Sequence, residues 1–232
     1  MKAKHRKPYV LLLDDNIDER FQTSMLLQQF GYNICTAHTA GEALDFLCVA
    51  PPVGIIAEAG LTGSGLLSRL TKDPRFSEVP LILLASAPDR ALEDLAHRGE
   101  LAGFLRKPIE AEGLYRAVQI AVEKTPRKNI RVATYLQASL EDGAGGREGF
   151  VTVLSEFGLY FRTLEPRPVR TRLGLGFEIP GRAINVQAEV LYSYAFNDGP
   201  FTDPGMGMKF LQMSPADQAE IKAYIMKQLD VG

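Results

Sequence analysis

Short apolar runs alternate with helical stretches along the first half of this 232-residue chain. The run Val10–Leu13 is apolar throughout, which is typical of a strand buried on both faces of a parallel sheet. The stretch after it repeats apolar residues at helical spacing, with Phe21 and Phe30 in the expected inner stripe. This alternation predicts a doubly wound α/β domain with a five-stranded parallel sheet over residues 1–124. The predicted strands cover 10–13, 32–37, 54–57, 81–85 and 102–106, and the predicted helices cover 17–30, 40–49, 66–70, 90–98 and 109–124.

A different pattern fills residues 125–232, where apolar and polar positions alternate between glycine-bearing turns. A period of two residues indicates strands with one buried face. Ser214 and Pro215 then provide a cap and a first turn for a closing helix. This half is therefore predicted to be a second domain, an antiparallel six-stranded β-barrel with a C-terminal helix. The predicted strands cover 132–140, 150–155, 159–163, 172–179, 183–194 and 207–211, with a hairpin turn at 141–146.

Composition adds limits on partners. A formal net charge of -2 provides no overall attraction to nucleic acid or to an anionic membrane, so neither is an expected partner. No apolar run approaches the ~20 residues of a membrane span, and the apolar run after the basic start is too short for a signal peptide. Cys35 and Cys48 lie in apolar segments and are expected to be buried, reduced thiols. We expect a cytoplasmic protein.

The carboxyl ends of the predicted parallel strands carry the residues that could do chemistry, because ligands bind at that edge of such sheets. Asp14 and Asp15 end the first strand, Glu58 the third, and Lys107 the fifth. An acidic pair could hold magnesium weakly through oxygen ligands, although no metal is obligatory. A lysine facing it could meet a phosphoryl group.

This half resembles the receiver domain of two-component response regulators, over roughly residues 8–124. The resemblance is carried by Leu-Leu-Asp-Asp at 12–15, by the strand and loop from 53 to 65, and by Phe-Leu-Arg-Lys-Pro at 104–108, where the family has a cis proline. It implies a phosphoryl-accepting aspartate at the end of the third strand. Here that position holds Glu58, or Ala57 when counted back from Gly65.

Because the aspartate is missing, we expect a degenerate receiver that does not accept a phosphoryl group. Asp14, Asp15, Glu58 and Lys107 then form a degenerate site. Glu58 could place a permanent negative charge towards Lys107, or it could be a relic in a docking scaffold. Phosphorylation at a nonstandard site is a third alternative. Ala85 falls where the family has a hydroxyl, and Ser86 is its neighbour.

Two arginines, Arg127 and Arg131, stand four residues apart where the two patterns meet. Together with Ser155 and Gly158 they resemble the two signatures of the PilZ domain, Arg-x-x-x-Arg and Asp/Asn-x-Ser-x-x-Gly. The runs Gly205–Phe210 and Ser214–Asp217 resemble that family's last strand and helix. The resemblance implies cyclic di-GMP as ligand, since arginine can pair with phosphate or guanine and stack on a base. Val153 stands where the family has an acid or amide, which predicts weakened or lost binding.

These resemblances imply a bacterial, nucleotide-binding signal-transduction protein of the two-component type that acts as a cyclic di-GMP receptor. The ligand would order the arginine segment and change the arrangement of the two domains. The alternative is a protein-interaction adaptor that binds no nucleotide. No enzyme is expected, because His5, His38 and His97 are scattered and no nucleophile–base–acid set recurs. The sequence names no signalling partner and leaves a homodimer open.

Overall fold

The computed structural model describes residues 8–62, 70, 73–123, 129–141, 147–196, 198 and 203–229. The described residues form two compact units, 8–123 and 129–229. The predicted helix at 66–70 (except Leu70), the predicted turn at 141–146 (except Glu141), Arg127 and the predicted boundary at 124/125 lie outside the described residues.

The first unit is a parallel sheet with helices between its strands. Its sheet order is β2-β1-β3-β4-β5, and each adjacent pair is parallel, which confirms the predicted fold. The order places β1 beside β3, so the residues after both strands meet at one edge. Its elements are β1 Val10–Leu13, α1 Ile17–Gln29, β2 Ile34–Ala37, α2 Ala40–Val49, β3 Gly54–Glu58, a 3₁₀ turn Ala59–Thr62, β4 Leu81–Ala85, α3 Arg90–His97, β5 Gly103–Arg106 and α4 Ala111–Val122.

The core of the first unit lies along β1, β3 and β4, whose central residues are almost fully buried, as their uninterrupted apolar runs predict. Three side chains are more exposed than expected. Phe21 is 62% exposed, because the buried face of α1 is formed by Thr23, Leu26, Leu27 and their neighbours. Cys48 is exposed and Cys35 is half-buried, although both are free thiols as expected.

The second unit is a closed antiparallel barrel, as predicted. Its strands follow the order β10-β11-β8-β7-β6-β9, and β9 pairs with β10 to close the ring. Side chains alternate between the apolar interior and the outer face, so Val132 and Leu154 are both fully buried. Its elements are β6 Arg131–Glu141, β7 Arg147–Ser155, β8 Gly158–Arg162, β9 Arg172–Ile179, β10 Arg182–Tyr194, β11 Gly205–Gln212 and α5 Pro215–Leu229.

Helix α5 begins as its sequence predicts. The Ser214 hydroxyl accepts a hydrogen bond from the backbone N–H of Asp217 (3.0 Å), and Asp217 pairs with Arg182 on β10. Ile221, Ile225 and Leu229 form its buried stripe. Gln218 donates a hydrogen bond to Glu156 (3.0 Å), so the helix also holds the turn between β7 and β8.

Candidate functional site

The carboxyl edge of the first unit gathers three carboxylates around one ammonium group. Lys107 Nζ lies 2.8 Å from an oxygen of Asp14, 2.5 Å from one of Glu19 and 2.5 Å from one of Glu58. The Lys107 side chain is only 8% exposed and that of Asp14 is fully buried. We call these four residues the acidic cluster. Three of its members, Asp14, Glu58 and Lys107, were predicted from the sequence.

Glu19 is the member that sequence reasoning missed. It lies in the first turn of α1, where the Asn16 side chain accepts hydrogen bonds from the backbone N–H groups of Asp18 and Glu19. An acid in the first turn of a helix ordinarily signals dipole compensation and nothing more. The position of Glu19 in the sequence could have revealed it, because α1 starts directly after the strand whose carboxyl end carries Asp14.

Lys107 stays charged in this environment. Burial by itself would lower the pKa of the Lys107 amine, but hydrogen bonds and charge from Asp14, Glu19 and Glu58 outweigh burial and raise the pKa well above its usual range. The Glu58 oxygen that faces Lys107, Oε2, is itself buried. The peptide bond between Lys107 and Pro108 is cis, as the family resemblance predicted.

The other predicted residues of this edge do not join the cluster. Asp15 is exposed, and Ser86 is exposed beside the buried, apolar Ala85. Both oxygens of Asp14 already have partners, since its Oδ1 accepts from the Asn16 backbone N–H (2.9 Å) while Oδ2 faces Lys107. Among the described residues, no three histidine, cysteine or acidic side chains are arranged to hold a metal ion. The weak magnesium binding expected at Asp14 and Asp15 stays a prediction.

The second unit brings Arg131, Ser155 and Gly158 together. Arg131 pairs in register with Ser155 across β6 and β7, and Ser155 pairs with Gly158 across the turn to β8. Because Val132 and Leu154 point into the barrel, Arg131 and Ser155 belong to its outer face. Their predicted partner Arg127 lies outside the described residues.

Ser155 and Gly158 shape the turn between β7 and β8. The Ser155 hydroxyl donates a hydrogen bond to the Gly158 carbonyl (2.8 Å) and is largely buried. A side chain at Gly158 would place its Cβ 2.3 Å from the backbone oxygen of Met208, so only glycine fits against β11. The backbone N–H of Phe210 also donates to the Phe157 carbonyl (2.9 Å), which fixes the turn on β11.

Val153 lies on the same outer face, two residues before Ser155 and opposite Ala133. It is half-buried. Neither it nor Ala133 carries a polar group, so the wall beside Ser155 offers only methyl groups where the PilZ signature has an acid or amide. The difference from the PilZ signature that the sequence showed at Val153 therefore lies on the face that carries Arg131 and Ser155.

A second surface lies towards the other end of β7 and β8, and sequence reasoning did not predict it. A cavity of about 640 Å³ is lined by the aromatic rings of Tyr135, Phe150 and Phe196 together with Leu164 and charged residues. Tyr135 and Phe150 stack with ring centres 4.4 Å apart. Tyr135 projects from a bulge in β6, where the Thr134 hydroxyl donates to the Val151 carbonyl (2.8 Å). We call this cavity the aromatic groove.

Known proteins or families match the sequences of both units. Residues 125–227 match the family model of the PilZ domain. The second unit is a PilZ domain. The residues that resemble the PilZ signatures, Arg127, Arg131, Ser155 and Gly158, all lie within this range.

The first half of the chain is homologous to response-regulator receivers. It is 29% identical over 124 residues to the two-component response regulator ORR3 of Oryza sativa subsp. indica, a match that covers 51% of this chain and 93% of that protein. Among solved structures, the chemotaxis response regulator CheY4 of Vibrio cholerae is 24% identical, with a TM-score of 0.44 and coverage of 49% of this chain and 98% of that one. The Bacillus subtilis inhibitor of motility (MotI/DgrA) is 18% identical, with a TM-score of 0.41 and coverage of 46% and 53%.

A receiver-like unit joined to a PilZ domain makes this chain a signal-transduction protein. Domains of both kinds are typically regulatory rather than enzymatic. Among the helices in the described ranges, none is long and apolar enough to cross a membrane.

Proposed function

We propose that the PilZ domain binds cyclic di-GMP and that the receiver-like unit takes no phosphoryl group, so that the nucleotide is the chemical input of this protein. The observation that carries the proposal is the register of β6, β7 and β8, which sets Arg131, Ser155 and Gly158 side by side. Arg127 is four residues earlier in the sequence and completes the arginine pair.

The chemistry of these groups suits a doubly anionic ligand with two guanine rings. The guanidinium of Arg131 can pair two N–H donors with a phosphate or with the acceptor edge of guanine, and its plane can stack on a base. Gly158 allows the turn next to Ser155 to lie directly against the backbone of β11.

Isothermal titration of the whole chain with cyclic di-GMP tests the proposal. We expect saturable binding that is lost when Arg127 and Arg131 are both replaced by alanine. Arg98→Ala is the matched control, because Arg98 is an exposed arginine of the first unit that pairs only locally with Glu100. Absence of binding at high micromolar ligand, or unchanged binding in the double variant, would contradict the proposal.

The second part of the proposal concerns the first unit. A phosphoryl group transferred to a carboxylate needs that oxygen in line with the donor, and Glu58 instead directs its carboxylate to Lys107 at 2.5 Å. Incubation with acetyl phosphate should therefore leave the mass of the intact protein unchanged. A mass increase of one phosphoryl group would contradict this part and revive phosphorylation at a nonstandard site.

The alternative function is an adaptor that works through protein contacts alone. Two observations favour it: Val153 removes a polar group from the candidate ligand face, and the aromatic groove exposes Leu164 and Phe196. The titration separates the two functions. If no nucleotide binds, and if Leu164→Asp abolishes recognition of an identified protein partner, the adaptor function is supported.

A further inference from the structure

We propose that the ammonium group of Lys107 is the resident cation of the receiver-like unit, filling the place that a divalent cation would need. The unit then holds its acidic edge together without any metal ion. This inference rests on the acidic cluster alone and does not depend on what the PilZ domain binds.

The charges of the acidic cluster require a cation. Asp14, Glu19 and Glu58 contribute three carboxylates, and their nearest oxygens all lie within 2.8 Å of a single nitrogen. Three like charges this close would repel one another, most strongly at Asp14, whose side chain is fully buried. The Lys107 side chain, only 8% exposed, supplies the opposite charge at the centre of the three.

The geometry makes the ammonium a competitor of a metal ion for the same carboxylate oxygens. Magnesium requires oxygen ligands at about 2.0–2.1 Å in an octahedral arrangement. The oxygens nearest to this position are those already directed at Lys107, and Asp14 Oδ1 also accepts a hydrogen bond from the Asn16 backbone N–H. A magnesium ion on these oxygens would also stand beside the buried ammonium and be repelled by it.

The cluster also ties four parts of the first unit to one atom. Asp14 follows β1, Glu19 belongs to α1, Glu58 ends β3 and Lys107 follows β5. Arg20 adds a further tether, since its guanidinium donates to the backbone carbonyl of Asp14. A permanently bound internal cation would keep these elements in one arrangement at any magnesium concentration.

Hydrogen exchange of the whole chain, stripped of metal with a chelator, tests this proposal. Peptides within residues 8–62 should exchange at the same rate in millimolar magnesium chloride and in sodium chloride of equal ionic strength. Lys107→Met should speed exchange of these peptides on the order of tenfold or more, because it leaves the fully buried Asp14 and its two acidic neighbours without a counter-charge. Magnesium should then restore slow exchange in the variant, and sodium should not.

Two further variants serve as a control and as a rescue of Lys107→Met. Lys222→Met removes an exposed lysine from α5 and should leave exchange of residues 8–62 unchanged. Adding Glu19→Gln and Glu58→Gln to Lys107→Met should restore slow exchange without magnesium, because the repulsion is then removed. The proposal is overturned if magnesium slows exchange in the unsubstituted protein, a measurement that needs no variant to fold. It is also overturned if Lys107→Met exchanges like the unsubstituted protein, or if magnesium fails to restore slow exchange in that variant.

Discussion

Under the proposed function, Val153 is the residue expected to limit how strongly the PilZ domain holds cyclic di-GMP. It lies two residues before Ser155, on the outer face that carries Arg131, and presents methyl groups to that face. A ligand edge that loses one hydrogen-bonding partner loses roughly 1 kcal/mol of binding free energy, and more when a polar group is left unpaired. The affinity of this domain is therefore expected to be limited by one side chain.

Replacing Val153 by asparagine should raise the affinity for cyclic di-GMP by roughly fivefold to tenfold, since it restores a polar group worth about 1 kcal/mol. Titration calorimetry measures the change. Val169→Asn introduces the same side chain at an exposed loop position and should leave the affinity unchanged. Equal affinities for Val153→Asn and the unsubstituted protein would show that this position does not limit binding.

The pKa of Tyr160 provides a second prediction at the residue scale. Burial, reinforced by Tyr192, Tyr194 and Asp203, raises the pKa of the Tyr160 hydroxyl to about 12. The unfolded chain has an ordinary tyrosine pKa of about 10. Neutral Tyr160 therefore stabilises the fold fully below about pH 10, and this contribution is lost as the pH rises through about 12.

An absorbance titration of tyrosinate checks this expectation. One of the eight tyrosines should ionise late, near pH 12, and Tyr160→Phe should remove that late step. If the late step survives in the variant, it belongs to another tyrosine. Tyr224 is the alternative to examine, because burial also raises its pKa.

At the residue scale, the sequence predicted which residues form the acidic cluster better than it predicted which side chains are exposed. Asp14, Glu58 and Lys107 could be placed together because strand ends in a parallel sheet share one edge. Glu19 could not, since nothing in the sequence tells how far a side chain on the first turn of a helix reaches. Cys48 was wrongly expected to be buried because the apolar content of a segment does not reveal which face of its helix turns outward.

The elements of both units were predictable because their periodicities differ clearly. Helix α2 and strands β1, β4 and β9 have the predicted bounds, and most others differ by one to three residues. The β6 bulge was not predictable, because it depends on how Thr134 bonds to the neighbouring strand rather than on a pattern within β6. The aromatic groove was missed for the same reason, since that bulge directs Tyr135 onto Phe150.

The contact between β8 and β11 provides a prediction at this scale. Gly158→Ala would place a methyl group 2.3 Å from the Met208 carbonyl oxygen, so the strands must separate or shift. We expect a loss of about 1–3 kcal/mol in the unfolding free energy of the second unit, as for other overpacked sites. Urea denaturation measures it. Gly60→Ala is the control, because a Cβ there meets nothing within 4 Å.

An unchanged unfolding free energy for Gly158→Ala would mean that β11 can shift away from the added methyl group at little cost. The role of Gly158 in the PilZ signature would then have to lie in its contact with the ligand. A loss of both stability and binding would instead mean that the glycine builds the turn on which Ser155 depends.

For the whole molecule, the two proposals give each unit a different role. The acidic cluster keeps the receiver-like unit in one arrangement, and the PilZ domain receives the signal. Ligand binding should then slow hydrogen exchange in peptides that cover residues 127–135 and 150–160, because Arg131 and Ser155 lie there. Peptides covering residues 8–58 should show little direct protection.

The double variant with alanine at Arg127 and Arg131 provides the control, since the same ligand should leave all of its peptides unchanged. Protection centred on the acidic cluster instead would place the ligand in the first unit and contradict these roles.

The closed ring of the barrel has a consequence for partners. An open sheet offers an unpaired edge to which another chain can add a strand, and many proteins recognise one another in this way. In the second unit each of the six strands has a neighbour on both sides, because β9 pairs with β10. In the part of the barrel that the structure describes, we therefore expect a protein partner to recognise side chains, turns or the surface of α5 rather than to add a strand to a sheet edge.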